Sequence, residues 1–270
     1  MELTSKITKT EKDLLKQDKE KVYFHSNYDF LSCHKGFRPC HIHTILGNAG
    51  GGKSTLIRSL IIDVLCNRPA KKVLLWLSEE TRLQFLTEFG YSDFEEFKND
   101  NFLIYSEMDA KGKTPRQIFE DIEIIVRNKE VDILIYDNIT TSKLYMDRTV
   151  AEQSAFCTAI KNAASRWAIP VVLVAHTNAN ITENYEKIIN MNDIRGGKTL
   201  INLSEFFYIL QTFYIESDRF MTLRITKHRG FSLKNLIYKL VYSPKARLIA
   251  LSKNIPFDDF KEAYKQRNKL

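Results

Sequence analysis

The chain has 270 residues, 44% of them hydrophobic, 27% charged and 11% aromatic, which suits a folded chain with a sizeable core and excludes collagen-like, low-complexity and membrane-bundle compositions. Lys and Arg number 40 against 33 Asp and Glu, and the resulting net charge of +7 favours an anionic partner such as nucleic acid. Four scattered cysteines, Cys33, Cys40, Cys66 and Cys157, are too few to staple a chain of this size, so reduced thiols are expected.

In chain order, Thr10 to Lys21 comes first: it is charged, opens on the capping-box pattern Thr10-Glu11-Lys12-Asp13 and carries little that is apolar beyond Leu14 and Leu15. This predicts a helix with little to bury on its own domain, either frayed or docked by a narrow stripe on a neighbouring subunit. Lys6, Lys9, Lys12 and Lys16 leave no apolar core for a signal peptide. The longest apolar run, Ile169 to Ala175, is far short of the roughly 20 residues of a membrane span, so a cytoplasmic chain with no membrane partner is expected. Cys33-His34 and Cys40-His41-Ile42-His43 offer zinc donors, but the spacing matches no common finger and the segment runs into a strand; turn and strand residues are the expectation.

Strands are predicted at His41 to Leu46, Lys72 to Leu77, Phe102 to Tyr105, Asp132 to Tyr136 and Pro170 to Ala175, with helical patterns at Thr55 to Cys66, Pro115 to Asn128 and Thr149 to Trp167 between them. Continuous Val/Ile/Leu strands alternating with helices read as an α/β fold, a parallel sheet covered on both faces. Later runs, Glu205 to Gln211, Met221 to Thr226, Leu236 to Tyr242 and Arg247 to Leu251, are strand-like with no helix between them and are expected to extend the sheet antiparallel. The parse is an extension or linker at 1–27, one domain at 28–252 and a basic tail at 253–270.

Gly47-Asn48-Ala49-Gly50-Gly51-Gly52-Lys53-Ser54, followed by Thr55, fits the Walker A pattern between a predicted strand and a predicted helix. Such a loop wraps backbone N–H groups around phosphates, a helix N-terminus adds its dipole, Lys53 neutralises the β and γ oxygens and Ser54 can hold Mg²⁺, so ATP and Mg²⁺ are the implied ligands. Asp137, ending Ile133-Leu134-Ile135-Tyr136, stands in the Walker B position as the second Mg²⁺ group. Its successor is Asn138 and not Glu, so the water-orienting carboxylate is sought elsewhere. Glu79 or Glu80, at the end of the strand taken to lie next to the phosphate loop, can supply it, strand alternation sending the two to opposite faces. His176, ending the run Val171 to Ala175, is placed to hydrogen-bond the γ-phosphate and signal its loss to the loop that follows.

These residues resemble the RecA-fold ATPases and, within them, the DnaB-like and RepA-like hexameric replicative helicases. The resemblance spans Tyr28 to Leu240 and rests, beyond the phosphate loop, on Lys35-Gly36-Phe37-Arg38-Pro39, Ser78-Glu79-Glu80, Ala175-His176-Thr177 and two basic motifs. Asp193-Ile194-Arg195-Gly196-Gly197-Lys198 looks like the loop that the family places in a ring's channel against DNA phosphates. Lys227-His228-Arg229 looks like the Lys-x-Arg pair inserted into a neighbour's ATP site, with Lys227 beside the nucleotide and Arg229 as the catalytic finger. The glycines at 196 and 197 would let backbone N–H groups approach phosphates without reading bases.

The resemblance implies an ATP-hydrolysing helicase or translocase on single-stranded nucleic acid, DNA in preference to RNA, working as a homo-oligomeric ring, a hexamer, with a protein loader or replication partner. A recombination mediator or filament ATPase, or an ATP-controlled protein switch, remains the alternative. The segment before Tyr28 is too short for the helical recruitment domain of a DnaB-type helicase. The loop holding Thr140, Thr141, Lys143 and Arg148 matches no pattern.

Overall fold

The computed structural model describes residues 36–89, 100–178, 188–215, 218–229, 236–243 and 248–255. The extension at 1–27 with its predicted helix, Cys33, His34, Lys35 and the tail from 256 lie outside the described residues.

Alternating elements occupy the first two thirds: β1 (Ile42–Gly47), α1 (Lys53–Asn67), β2 (Val73–Leu77), α2 (Arg82–Phe89), β3 (Phe102–Ser106), α3 (Pro115–Asn128), β4 (Ile133–Asp137), α4 (Val150–Trp167) and β5 (Val171–His176). A short α5 (Lys198–Leu203) leads into β6 (Phe206–Ile215), β7 (Asp218–His228), β8 (Ile237–Ser243) and β9 (Leu248–Ile255). The first five strands fall within two residues of the expected runs. β6 and β7 run well past theirs because they pair as one hairpin, from Phe206 opposite His228 to Ile215 opposite Asp218.

All nine strands form one sheet in the order β3-β2-β4-β5-β1-β6-β7-β8-β9. The pairs from β3 to β6 are parallel and those from β6 to β9 antiparallel. This corrects one expectation. β2 does not lie beside β1, because β4 and β5 stand between them.

Period-2 alternation splits the apolar side chains between the two faces. Ile45, Leu75, Ile135 and Val174 pack on one face with Leu56, Leu60 and Ile61 of α1, while Leu46, Trp76, Tyr136 and Leu173 pack on the other against α3 and α4. α3 buries Ile118, Ile122 and Val126, one every turn, and begins with Pro115 after a reciprocal capping box of Thr114 and Gln117. Truncating Ile122, fully enclosed, to Ala costs about 2–5 kcal/mol. No helix of the described residues is long and apolar enough to cross a membrane.

Candidate functional site

Parallel strands end at one edge of the sheet, and register brings Gly47 of β1 beside His176 of β5 and Leu210 of β6. The backbone passes so close to β6 that a Cβ at Gly47 would meet the Leu210 carbonyl at 2.8 Å, which requires glycine. Asn48 to Gly52 then fold back, with Gly51 N–H donating to Asn48 O at 3.0 Å, and Gly52 takes φ 90° immediately before α1. Ala49 and Gly50 are exposed at the tip. The first-turn N–H groups of α1 lack intrahelical acceptors and, with the dipole, make this end attractive to anions.

A cavity of about 300 Å³ opens here, lined by Gly50, Gly52, Lys53, Ser54, Thr55, Arg58, Glu79, Glu88 and His176. Lys53 is buried, and Nζ donates to Asn48 O at 2.7 Å. Burial lowers its ammonium to about 8, opposed by the charges of Asp137 and Glu79. Asp137, buried at the end of β4, is hydrogen-bonded by Ser54; burial raises its carboxyl above the ordinary value, against that hydrogen bond and Lys53. Among the described residues no cluster of three His, Cys, Asp or Glu forms a closed metal cage. A single carboxylate with a hydroxyl suits a hard cation that completes its shell with phosphate oxygens and water.

β2 stops at Leu77, and Ser78 bends the chain by donating to Asn138 O at 2.8 Å while accepting from the Asn138 N–H at 3.0 Å. Glu79 and Glu80 therefore leave the strand, and its alternation no longer decides their sides. Glu79 borders the cavity, its Oε1 3.6 Å from His176 Nε2. Glu80 is half-buried behind it; burial, then repulsion from Asp137 and Glu88, pushes its carboxyl up to about 7. Arg58, which sequence reasoning missed, adds a cation within the wall and pairs with Glu88 at 3.3 Å.

His176 lies with Nδ1 3.5 Å from Lys53 Nζ and Nε2 2.9 Å from Asn138 Nδ2. Burial and the charge of Lys53 lower its pKa to about 4, so the ring is neutral at pH 7. The next residue, Thr177, donates to Asn48 Oδ1 at 2.7 Å and pairs antiparallel with Ile194, while Arg195 N–H donates to His176 O at 2.8 Å. The basic loop is thus stitched to the strand end that lines the cavity. Arg195 and Lys198 are exposed, and Lys198 already belongs to α5. Both glycines seat the loop on Tyr145. Gly197 N–H donates to Tyr145 Oη at 3.1 Å, and Gly196, at φ 98°, has no room for a Cβ beside the Tyr145 ring.

Lys227 and Arg229 stand at the other edge of the sheet. β7 runs antiparallel to β6, so His228 pairs with Phe206, which in turn pairs with His43 at the start of β1. Lys227 Nζ donates to Ile201 O at 2.5 Å and Arg229 to Asn202 O at 3.3 Å, covering the C-terminal carbonyls of α5, where cations are favoured. Burial, then Arg229, lowers the Lys227 pKa.

The remaining donors near β1 are structural. His43 Nε2 accepts from Arg38 N–H at 3.0 Å and the ring stacks on Phe206 at 4.3 Å, while His41 contacts Pro39 O. Glu107, wholly buried, was also missed: its carboxylate accepts from Trp76 Nε1, Tyr136 Oη, Ser142 Oγ and Lys143 N–H at 2.8–3.0 Å. It follows β3, the edge strand of the sheet, where nothing in the sequence marks a carboxylate as buried. It ties the loop holding Thr140, Thr141, Lys143 and Arg148 to the sheet, and Arg148 donates to Lys143 O at 3.4 Å. Compared with known proteins, the chain matches no family model and no curated sequence.

Proposed function

We propose that this chain is a RecA-like P-loop ATPase that moves along single-stranded nucleic acid, DNA in preference to RNA, as a helicase or translocase. One observation carries the reading: the His176 strand end borders the cavity of Lys53, Ser54 and Glu79 and holds the basic loop through the Arg195 to His176 backbone hydrogen bond. A change at the cavity therefore has a short covalent and hydrogen-bonded route to the exposed Arg195 and Lys198. The strand order, with β5 between β1 and β4, supports the same fold family.

In this reading the α1 N-terminus and Lys53 hold the ATP phosphates, and Glu79 orients and accepts a proton from the attacking water. Ser54 and Asp137 would hold Mg²⁺, which when bound neutralises charge on the β and γ oxygens. Arg229 cannot serve its own cavity, since six residues of β1, about 20 Å of strand, separate the two edges. It serves the cavity of an adjacent copy, which makes the working form a homo-oligomeric ring, a hexamer, assembled with a loader or replication partner in the cytoplasm. Hydrolysis should be measured with and without single-stranded DNA alongside native mass. Turnover stimulated by the strand, present in a ring and reduced about a hundredfold or more in Lys53→Ala, is the expected result. Hydrolysis indifferent to DNA would favour an ATP-controlled protein switch, and none at all would end the ATPase reading.

A further inference from the structure

The side chain of Asn138 has an orientation that the surrounding donors dictate. Its Oδ1 accepts from the Thr141 backbone N–H at 3.0 Å and from the hydroxyls of Thr140 and Thr141 at 2.8 and 2.9 Å. A backbone N–H can only donate, so the atom facing it is the amide oxygen; the flipped side chain would set NH₂ against a donor. The NH₂ is thereby aimed the other way, and Nδ2 lies 2.9 Å from His176 Nε2. An amide NH₂ cannot accept. Nε2 must be the acceptor, and a neutral imidazole then carries its one proton on Nδ1.

That proton lies on the Lys53 side of the ring, Nδ1 being 3.5 Å from Nζ. Two donors at this separation do not bond each other, but both can reach one oxygen placed between them at ordinary hydrogen-bond lengths. Thr140 closes the arrangement, its Oγ1 accepting from His176 N–H at 3.1 Å while donating to Asn138 Oδ1, so the backbone and the ring are held by one network. With Nε2 occupied by Asn138, the ring makes no donation to Glu79, and that carboxylate keeps its lone pairs for water.

We propose that Asn138, oriented by the Thr141 N–H, is a positioning residue that holds His176 in the Nδ1–H tautomer, so that the ring and Lys53 together donate to one terminal phosphoryl oxygen. This rests on the ATPase reading above and adds to it the direction of the sensor's hydrogen bond. The opposite tautomer would present a lone pair to an anionic oxygen and repel it.

Nitrogen-15 spectra of the imidazole rings test this in the full chain without nucleotide, His176 being assigned by the resonances that disappear in His176→Gln. A protonated-type shift at Nδ1 and an unprotonated-type shift at Nε2 are expected. An Nε2–H tautomer would overturn the role of Asn138 whatever the protein hydrolyses. In Asn138→Asp one carboxylate oxygen keeps the Thr141 N–H and the other becomes an acceptor for Nε2–H, so the two shifts should exchange. Turnover should fall about a hundredfold with nucleotide affinity little altered, as for the loss of one transition-state donor. If that variant does not fold, the parent spectrum still decides. Mg²⁺ with a non-hydrolysable ATP analogue should move the Nδ1 resonance, and Mg²⁺ with ADP should not. If no resonance responds to either nucleotide, the phosphate interaction falls together with the ATPase reading, while an apo Nδ1–H spectrum would separate that failure from an error about Asn138.

Discussion

The two halves of the sheet handle their strand ends in opposite ways. In the parallel half, strands of five or six residues all point the same way, and their carboxyl ends converge: Gly47, Leu77, Asp137 and His176 finish at one edge, and the cavity forms there. In the antiparallel half, strands of seven to eleven residues turn back, and β7 delivers His228 and Arg229 to the far edge. α5 crosses between the edges, starting at the basic loop and ending under Lys227 and Arg229. The parallel array gathers its strand ends into one site; the antiparallel hairpin divides its groups, β6 placing Thr212 Oγ1 against Gly51 O at 3.1 Å while β7 ends at the far edge.

The largest effect expected from breaking this contrast is at Arg229. Arg229→Ala should lower turnover about a thousandfold or more, as for removal of a trans-acting arginine, with nucleotide binding to the isolated subunit retained. Mixing it with Lys53→Ala protein should restore part of the activity, because one interface then joins an intact Lys53 to an intact Arg229. Turnover at the parent rate in Arg229→Ala would place all the chemistry in the parallel half.

Within the parallel half, the two carboxylates after β2 should separate. Glu79→Gln should slow turnover about a hundredfold or more through loss of the group bordering the cavity, and Glu80→Gln much less. Glu80 has its own signature in stability. Its folded carboxyl titrates at about 7 against 4.5 ordinarily, so the native state binds more protons between those values and stability falls as pH rises through that window. Glu80→Gln should flatten that fall in thermal unfolding measured from pH 4.5 to 8. Equal kinetic losses in both variants would mean that the bend at Ser78 does not sort them.

The parallel half was far more legible in the sequence than the interactions that equip it. Runs such as Val171 to Ala175 are buried on both faces, so composition alone marks them, and Thr114, Pro115 and Gln117 mark the start of α3. α5 escaped because six residues are too few for a helical period to register, and α2, with eight, fared no better. The order of strands was only partly readable, because nothing in β2 says that β4 and β5 will intervene before β1. Glu107, Asn138 and Tyr145 were invisible as partners. Each meets residues far along the chain through pairing of β2 with β3 and β4 and of β4 with β5, and only three-dimensional register brings them together.

A smaller effect is expected where the basic loop meets the sheet. In Gly196→Ala the new Cβ would fall 2.2 Å from Tyr145 Oη at a backbone φ of 98°, and Tyr145 is too enclosed to move aside. Crowding of this kind costs about 1–3 kcal/mol. Thermal unfolding should register this destabilisation, and single-strand stimulation should fall with it as the loop shifts. Parent-like stability would mean that the loop is not seated on Tyr145.

The gentlest test removes only the charges of that loop. Arg195 keeps its link to His176 through the backbone, so Arg195→Ala leaves the strand-to-loop hydrogen bond in place while deleting an exposed cation. Lys198 is exposed in the first turn of α5, where a positive charge is not needed by the helix dipole, so Lys198→Ala should not unsettle the helix. The double variant should therefore fold as the parent does and bind single strands more weakly, to a similar extent for all sequences. Its log–log salt dependence should drop by about 0.7 for each phosphate that the loop no longer neutralises. Stimulation of hydrolysis by single strands should fall with the affinity, while the unstimulated rate, set at the cavity, changes far less. Parent-like binding and stimulation in this variant would detach nucleic acid from the loop, and with it the reason for reading the His176 strand end as a connection between phosphate and strand.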